Sequence, residues 1–153
     1  MHSTRWNVVL VAGLIVALSV ACNWSTANIG SFKISKDEAG KEETSNFGPG
    51  QKVYAVAEIS NNPGKQSVKF RVLYDDVKGK KAGDMMPGAE KTLEVDGTRP
   101  AVFWITLPSS GFDNGRYKVE VTMTNENGEK KDEKSGTFNV SGFSTEPATS
   151  DEK

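Results

Sequence analysis

Residues Arg116 to Thr124, RYKVEVTMT, place an apolar side chain at every second position: Tyr117, Val119, Val121 and Met123 alternate with Lys118, Glu120 and Thr122. Successive side chains of an extended chain point to opposite faces, so this stretch predicts a strand with one dry face and one wet one. Val68 to Tyr74, VKFRVLY, repeats the pattern, with Val68, Phe70, Val72 and Tyr74 set against Lys69 and Arg71. Beyond the first 21 residues, no long segment repeats apolar residues at i, i+3, i+4 and i+7, the spacing a helix needs. Such a chain has to make its core by packing sheet on sheet.

Five further runs carry strand character, each bounded by turn residues. They are Ile29–Ser35, Lys52–Ile59, Thr92–Val95, Ala101–Leu107 and Gly136–Val140. Lys52–Ile59 is apolar on both faces and reads as a central strand. It follows Phe47-Gly48-Pro49-Gly50 and ends at Asn61-Asn62-Pro63-Gly64. Asn127-Gly128 predicts a turn between the last two strands, in a hairpin with an extended, very polar tip. Seven short strands in about 110 residues predict an all-β fold, an antiparallel two-sheet sandwich, with a closed barrel as the competing architecture.

The ends of the chain differ from this middle. Met1 to Asn7 holds one basic side chain, Arg5, and no acid, and Val8 to Leu18 is unbroken apolar or Gly sequence. This is the shape of an export signal, expected to be helical and to occupy residues 1–21. It is too short to span a bilayer, which takes about 20 apolar residues. The sole cysteine, Cys22, comes directly after Leu18-Ser19-Val20-Ala21. Leu-Ser-Val-Ala-Cys resembles a bacterial lipobox, although Ser19 stands where that motif most often has leucine. The resemblance implies a diacylglyceryl thioether on Cys22, which becomes the new N-terminus. Two long acyl chains, at about 0.8 kcal/mol per buried CH₂, would hold the protein to a membrane with roughly 20 kcal/mol or more. Residues 22–28 then form a short lipidated tether in which Trp24 could sit among headgroups. Residues 141–153, SGFSTEPATSDEK, carry too little apolar area to offset the entropy of ordering them and are expected to be a disordered tail.

Asp113-Asn114-Gly115-Arg116-Tyr117-Lys118-Val119 resembles the D-x-G-x-Y-x-C signature of immunoglobulin-like domains. The resemblance covers residues 29–140 and implies an immunoglobulin-like or fibronectin-III-like sandwich. It also implies a tyrosine corner built from Asp113, Gly115 and Tyr117, with the phenol bonded to nearby backbone. Val119 takes the place of the family's cysteine and no second cysteine exists, so apolar packing has to replace the inter-sheet disulfide. The family's strand-three tryptophan is also missing, and Phe70 or Val72 stands in its region. Trp104 is left either as the central core aromatic or as an outward one.

Composition narrows the chemistry. The single histidine, His2, lies in the export signal, so cleavage leaves a chain with no imidazole and with its thiol acylated. That argues against Ser-His-Asp or Cys-His nucleophiles and against zinc or copper sites built from His and Cys. Asp75-Asp76 are neighbours on a strand and point apart, a poor pair for glycoside hydrolysis. Asp113, Glu126 and Asp132 lack the spacing of a calcium loop. Met85-Met86 is placed in a Gly- and Lys-rich loop, as packing or as a soft contact for a partner. Removing the first 21 residues leaves 18 basic against 20 acidic side chains, and Lys78, Lys80 and Lys81 read as a solvated loop. No concentrated basic face marks a nucleic-acid binder.

The sequence therefore predicts a non-enzymatic module with no cofactor or metal, outside the cytoplasm and anchored by Cys22, in the outer membrane if the organism has one. It would bind a protein partner through the wet face bearing Lys69, Arg71, Lys118 and Glu120, or through the loop with Met85 and Met86. Two alternatives stand beside it. A carbohydrate-binding module would show Tyr54, Phe103 and Trp104 exposed and in line; a structural subunit of an envelope complex would show a long open edge strand.

Overall fold

The computed structural model describes residues 26–144. The expected export signal at 1–21, the expected lipidation site Cys22, Trp24 and the segment after Ser144 lie outside the described residues. Eight strands are present among the described residues: β1 Asn28–Ser35, β2 Asn46–Phe47, β3 Lys52–Ser60, β4 Lys65–Val77, β5 Met85–Asp96, β6 Pro100–Thr106, β7 Gly115–Asn125 and β8 Lys130–Val140. They form two sheets, one in the order β1-β3-β6 and the other in the order β2-β8-β7-β4-β5. Pairing is antiparallel except between β2 and β8. β5 and β6, consecutive in the chain, belong to different sheets, so the structure is an open immunoglobulin-like sandwich and the barrel is excluded.

The alternation seen in the sequence decides which side of each strand is dry. Val68, Phe70 and Val72 of β4 and Tyr117, Val119, Val121 and Met123 of β7 are buried against Ile29, Val53, Ala55, Ala57, Ile59 and Ala101 of the opposite sheet. Small alanines on the three-stranded sheet face large rings on the other, and Phe70 stacks on Phe103 across the gap with centroids 5.6 Å apart. Complete burial of such side chains stabilises by about 1.5–3 kcal/mol each, which is how the fold closes without a disulfide. β1 crosses close over β8, where a Cβ on Gly136 would lie 3.2 Å from both Phe32 and Ile34.

The structure redraws several boundaries. Ala27 is buried and β1 begins at Asn28, so the tether ends before the expected residue 28. Residues 141–144 are not a disordered tail: Ser141 donates its amide to Phe47, and Phe143 is buried against Phe112 with centroids 5.7 Å apart. The Asn114 amide group fixes Phe143 from both sides, donating to its carbonyl at 2.7 Å and accepting from its N–H at 3.0 Å. β8 starts at Lys130, so the last hairpin has a tight turn, with Asn125 Oδ1 accepting from the amides of Asn127 and Glu129. Met85 and Met86 begin β5 rather than lying in a loop. Between Arg71↔Glu90 and Leu73↔Met85 the register shifts, and residues 86–89, including Pro87 and Gly88, bulge from the edge. That blunts β5 as a template for edge-to-edge pairing.

The corner before β7 explains its glycine. Gly115 has φ +147°, and a Cβ there would come within 2.5 Å of the Asp76 carbonyl oxygen. Two residues on, the Tyr117 ring is sandwiched by Phe112, Phe138 and Tyr74 at 5.4, 5.4 and 5.8 Å. Its hydroxyl donates to the Asp113 carbonyl oxygen at 2.8 Å. Burial, with help from the Asp113 charge, pushes the phenol far above its ordinary pKa.

Candidate functional site

The wet face of the five-stranded sheet carries Lys69 and Arg71 on β4 and Lys118 and Glu120 on β7, which register brings together: Arg71 lies opposite Glu120, and Leu73 opposite Lys118. Glu120 accepts from Arg71 at 2.8 Å and from Lys118 at 2.8 Å, while Lys69 pairs with Glu90 at 3.0 Å. Beside them Arg116 is held by Asp75. The Lys118 ammonium, and then Arg71, hold the Glu120 carboxyl below the usual range against the opposing effect of burial; Lys118 is raised in turn. A shallow hollow of about 370 Å³ opens here, lined by Arg71, Leu73, Tyr74, Asp75, Gly83, Lys118 and Glu120. The charges lining it already satisfy one another. A general acid needs a raised carboxyl pKa, and Glu120 is displaced in the opposite direction.

The other sequence candidates separate. Met85 is 46% exposed, whereas Met86 packs against the core, so the two do not form one soft contact. Asp75 is occupied by Arg116, and Asp113 pairs with Lys80 at 3.3 Å. Asp132 accepts the Ile29 amide at 2.8 Å at the opposite end of the sandwich from Asp113, so those carboxylates and Glu126 do not converge.

The outer face of the three-stranded sheet is different. Trp104 on β6 is 52% exposed. Tyr54 on β3 is its register partner, half-buried, with ring centroids 6.3 Å apart and planes tilted by 37°. Phe103 points the other way into the core, so the three aromatics do not form one exposed row. Lys52 and Thr106, the next register pair on the same face, are both exposed beside the rings.

One side of this shelf is walled by a feature the sequence reading overlooked. Asp37 takes three backbone N–H groups, from Glu42 at 2.5 Å, Ala39 at 2.9 Å and Lys41 at 3.2 Å, and these hold its carboxyl below the usual range, that of Glu42 most strongly. The folded turn brings Gly40 onto the outer face of the sheet, where its missing Cβ would touch Val56 at 3.7 Å and the Lys33 stem at 3.5 Å. Val56, outward on β3, is thereby buried. The signal was an Asp followed by Glu38-Ala39-Gly40, an Asx-type turn with a positive-φ glycine at +66°.

No protein-family model matches the sequence, and no curated protein sequence does either. Among solved structures, the chain is similar to a family 76 glycoside hydrolase from a bovine Bacteroides thetaiotaomicron strain, at 12% identity and TM-score 0.46 over 72% of this chain. It spans only 20% of that enzyme. An immunoglobulin-like protein from Pseudomonas aeruginosa matches over 75% of this chain and 96% of its own, at 16% identity and TM-score 0.45. The soluble domain of PmoD from Methylocystis matches over 78% and 99%, at 15% identity and TM-score 0.41.

Proposed function

We propose that this chain is an extracytoplasmic module, anchored to a membrane by lipid on Cys22, that binds through the outer face of its three-stranded sheet and has no catalytic activity of its own. The observation that carries this reading is the outward Trp104–Tyr54 pair. A half-exposed indole beside a tyrosine is contact surface without an internal partner, whereas the charged face opposite is neutralised by its own ion pairs. A ligand displacing those pairs would have to repay their desolvation.

Position supports the same reading. Asn28, Ser60 and Pro100 share one end of the sandwich, the end that the tether reaches. Five residues separate Cys22 from Asn28, six chain steps that span at most about 22 Å. Trp104 lies four residues further up β6, roughly 13 Å away from that end at the rise of a strand. The aromatic pair is thus lifted clear of the bilayer on a short leash.

The test is photocrosslinking in intact cells, with a benzophenone side chain at position 106 or, separately, at position 135 on the charged face. Adducts from position 106 that position 135 does not give support the reading; the reverse result transfers the function to the charged face. Labelled acylation present in the wild type and absent in Cys22→Ala checks the anchor, and labelling that persists in that variant overturns it.

A further inference from the structure

We propose that the ligand of the Trp104–Tyr54 shelf is a glycan, bound as a chain of equatorially linked pyranose rings; this rests on the binding reading above and names its ligand class. A stable protein–protein contact buries about 800 Å² on each partner. Trp104 and Met85 are the large hydrophobic side chains exposed among the described residues, and they lie on opposite sheets. The shelf therefore offers the exposed half of Trp104 and the smaller exposed part of Tyr54, only a fraction of the about 150–250 Å² that each such side chain buries when fully covered, and little large apolar surface beyond them. So small an aromatic patch lacks the clustered anchors that usually carry a protein interface, and it matches the apolar C–H face of one or two sugar rings.

Geometry and polarity agree with this. The Tyr54 and Trp104 rings do not stack on each other: they sit 6.3 Å apart at 37°, with Trp104 half-exposed and Tyr54 more covered, so the indole offers the main platform and the phenol its flank. An equatorially linked pyranose presents axial C–H bonds to such a face and directs its hydroxyls sideways. On one side those hydroxyls would meet Lys52 and Thr106, both exposed and both able to donate. On the other side the Asp37 turn closes the shelf, as its packing over Val56 shows. Among the described residues no strand pairs with the outer edge of β6, so a polymer can run off the shelf there. Phe103 being in the core limits the platform to two rings, which suits weak binding made useful by a membrane that presents many copies.

The experiment uses the full-length lipoprotein in detergent micelles and follows tryptophan emission while N-acetylchitohexaose, cellohexaose or mannohexaose is added. Saturable change with at least one of these is expected. The change should be kept by Trp24→Phe, lost in Trp104→Ala, and weakened about tenfold in Tyr54→Ala, equivalent to about 1.4 kcal/mol. Lys118→Ala should bind as the wild type does. Because Trp104 is on the surface, far-ultraviolet circular dichroism and the thermal midpoint verify that each variant is folded. Flat titrations with all three sugars, or binding that survives Trp104→Ala, overturn the proposal. If the titrations are flat while position 106 crosslinks to a polypeptide, the glycan is wrong and the binding face stands; if position 106 crosslinks to nothing, both fail.

Discussion

The two sheets share one core, and their outer faces have opposite characters. On the five-stranded sheet the central charges are paired with one another: Lys69 with Glu90, Arg71 and Lys118 with Glu120, and Arg116 with Asp75. On the three-stranded sheet a half-exposed indole lies against a half-buried tyrosine, beside exposed Lys52 and Thr106. The first face resembles a finished structure, the second an unfinished interface. Ion pairs at this exposure contribute little to stability, so what the paired face provides is solubility and resistance to misassociation. The contrast teaches that the conspicuous charge pattern of a strand can be satisfied within the sheet itself.

Adjacent residues on β6 give the strongest test of that contrast. Phe103 is buried and stacked on Phe70, and Phe103→Ala removes a ring from the packed core; it should cost about 3–5 kcal/mol in a urea unfolding titration. Trp104→Ala should cost less than about 1 kcal/mol, in keeping with surface substitutions generally. If the two variants were equally destabilised, Trp104 would be a structural residue and the open face would lose its special status.

The five-stranded sheet is kept in shape from beneath, by its corner. Tyr117→Phe keeps the ring against Phe112 and Phe138 but deletes the donor to the Asp113 carbonyl, and should cost about 1–2 kcal/mol in the same measurement. Ligand binding at Trp104 should be untouched, since the corner and the shelf lie on different sheets. A Tyr117→Phe variant that lost binding while remaining folded would couple the two faces and break the comparison.

Much of this was readable from the chain because a strand with one dry face announces itself every second residue. Val68–Tyr74 and Arg116–Thr124 needed nothing more. The sequence missed what that pattern does not encode. The first half of β8, Lys130 to Ser135, is polar on both faces, and its Asp132 carboxylate accepts the Ile29 amide of β1, a role that no alternation announces. The start of β5 is disguised by Pro87 and Gly88, which belong to a bulge rather than to a turn. Phe143 stands alone in a polar segment, and only the Asn114 side chain, distant in sequence, reveals that it is anchored. The shelf itself was half legible: alternation along Ala101–Leu107 says that Phe103 and Trp104 face opposite ways, but not which of them faces in. The core chose the ring that could stack on Phe70.

The smallest effects compare two carboxylates, one on each side of the sandwich, each held below its ordinary pKa for a different reason. Glu120 is lowered first by Lys118 and then by Arg71; Asp37 is lowered first by the Glu42 amide, with Lys41 and Ala39 adding to it. A carboxyl whose folded pKa is depressed adds stability above its unfolded pKa, and that stability is lost as the pH falls through the folded value. Both contributions should therefore be intact at neutral pH and fade in acid below the ordinary carboxylate range. Glu120→Gln should remove less than about 1 kcal/mol at neutral pH, and the loss should shrink further in 1 M salt, where the screening length is about 3 Å. Asp37→Asn acts on neutral amides, so salt should change its effect little. Its signature should be local: faster hydrogen exchange at the Glu42, Lys41 and Ala39 amides, with the global unfolding midpoint nearly unchanged. Because that turn walls the Trp104 shelf, Asp37→Asn should also weaken sugar binding several-fold while Glu120→Gln leaves it alone. Equal effects of the two variants on binding would mean that the faces are not independent, and the distinction between a closed face and an open one would have to be given up.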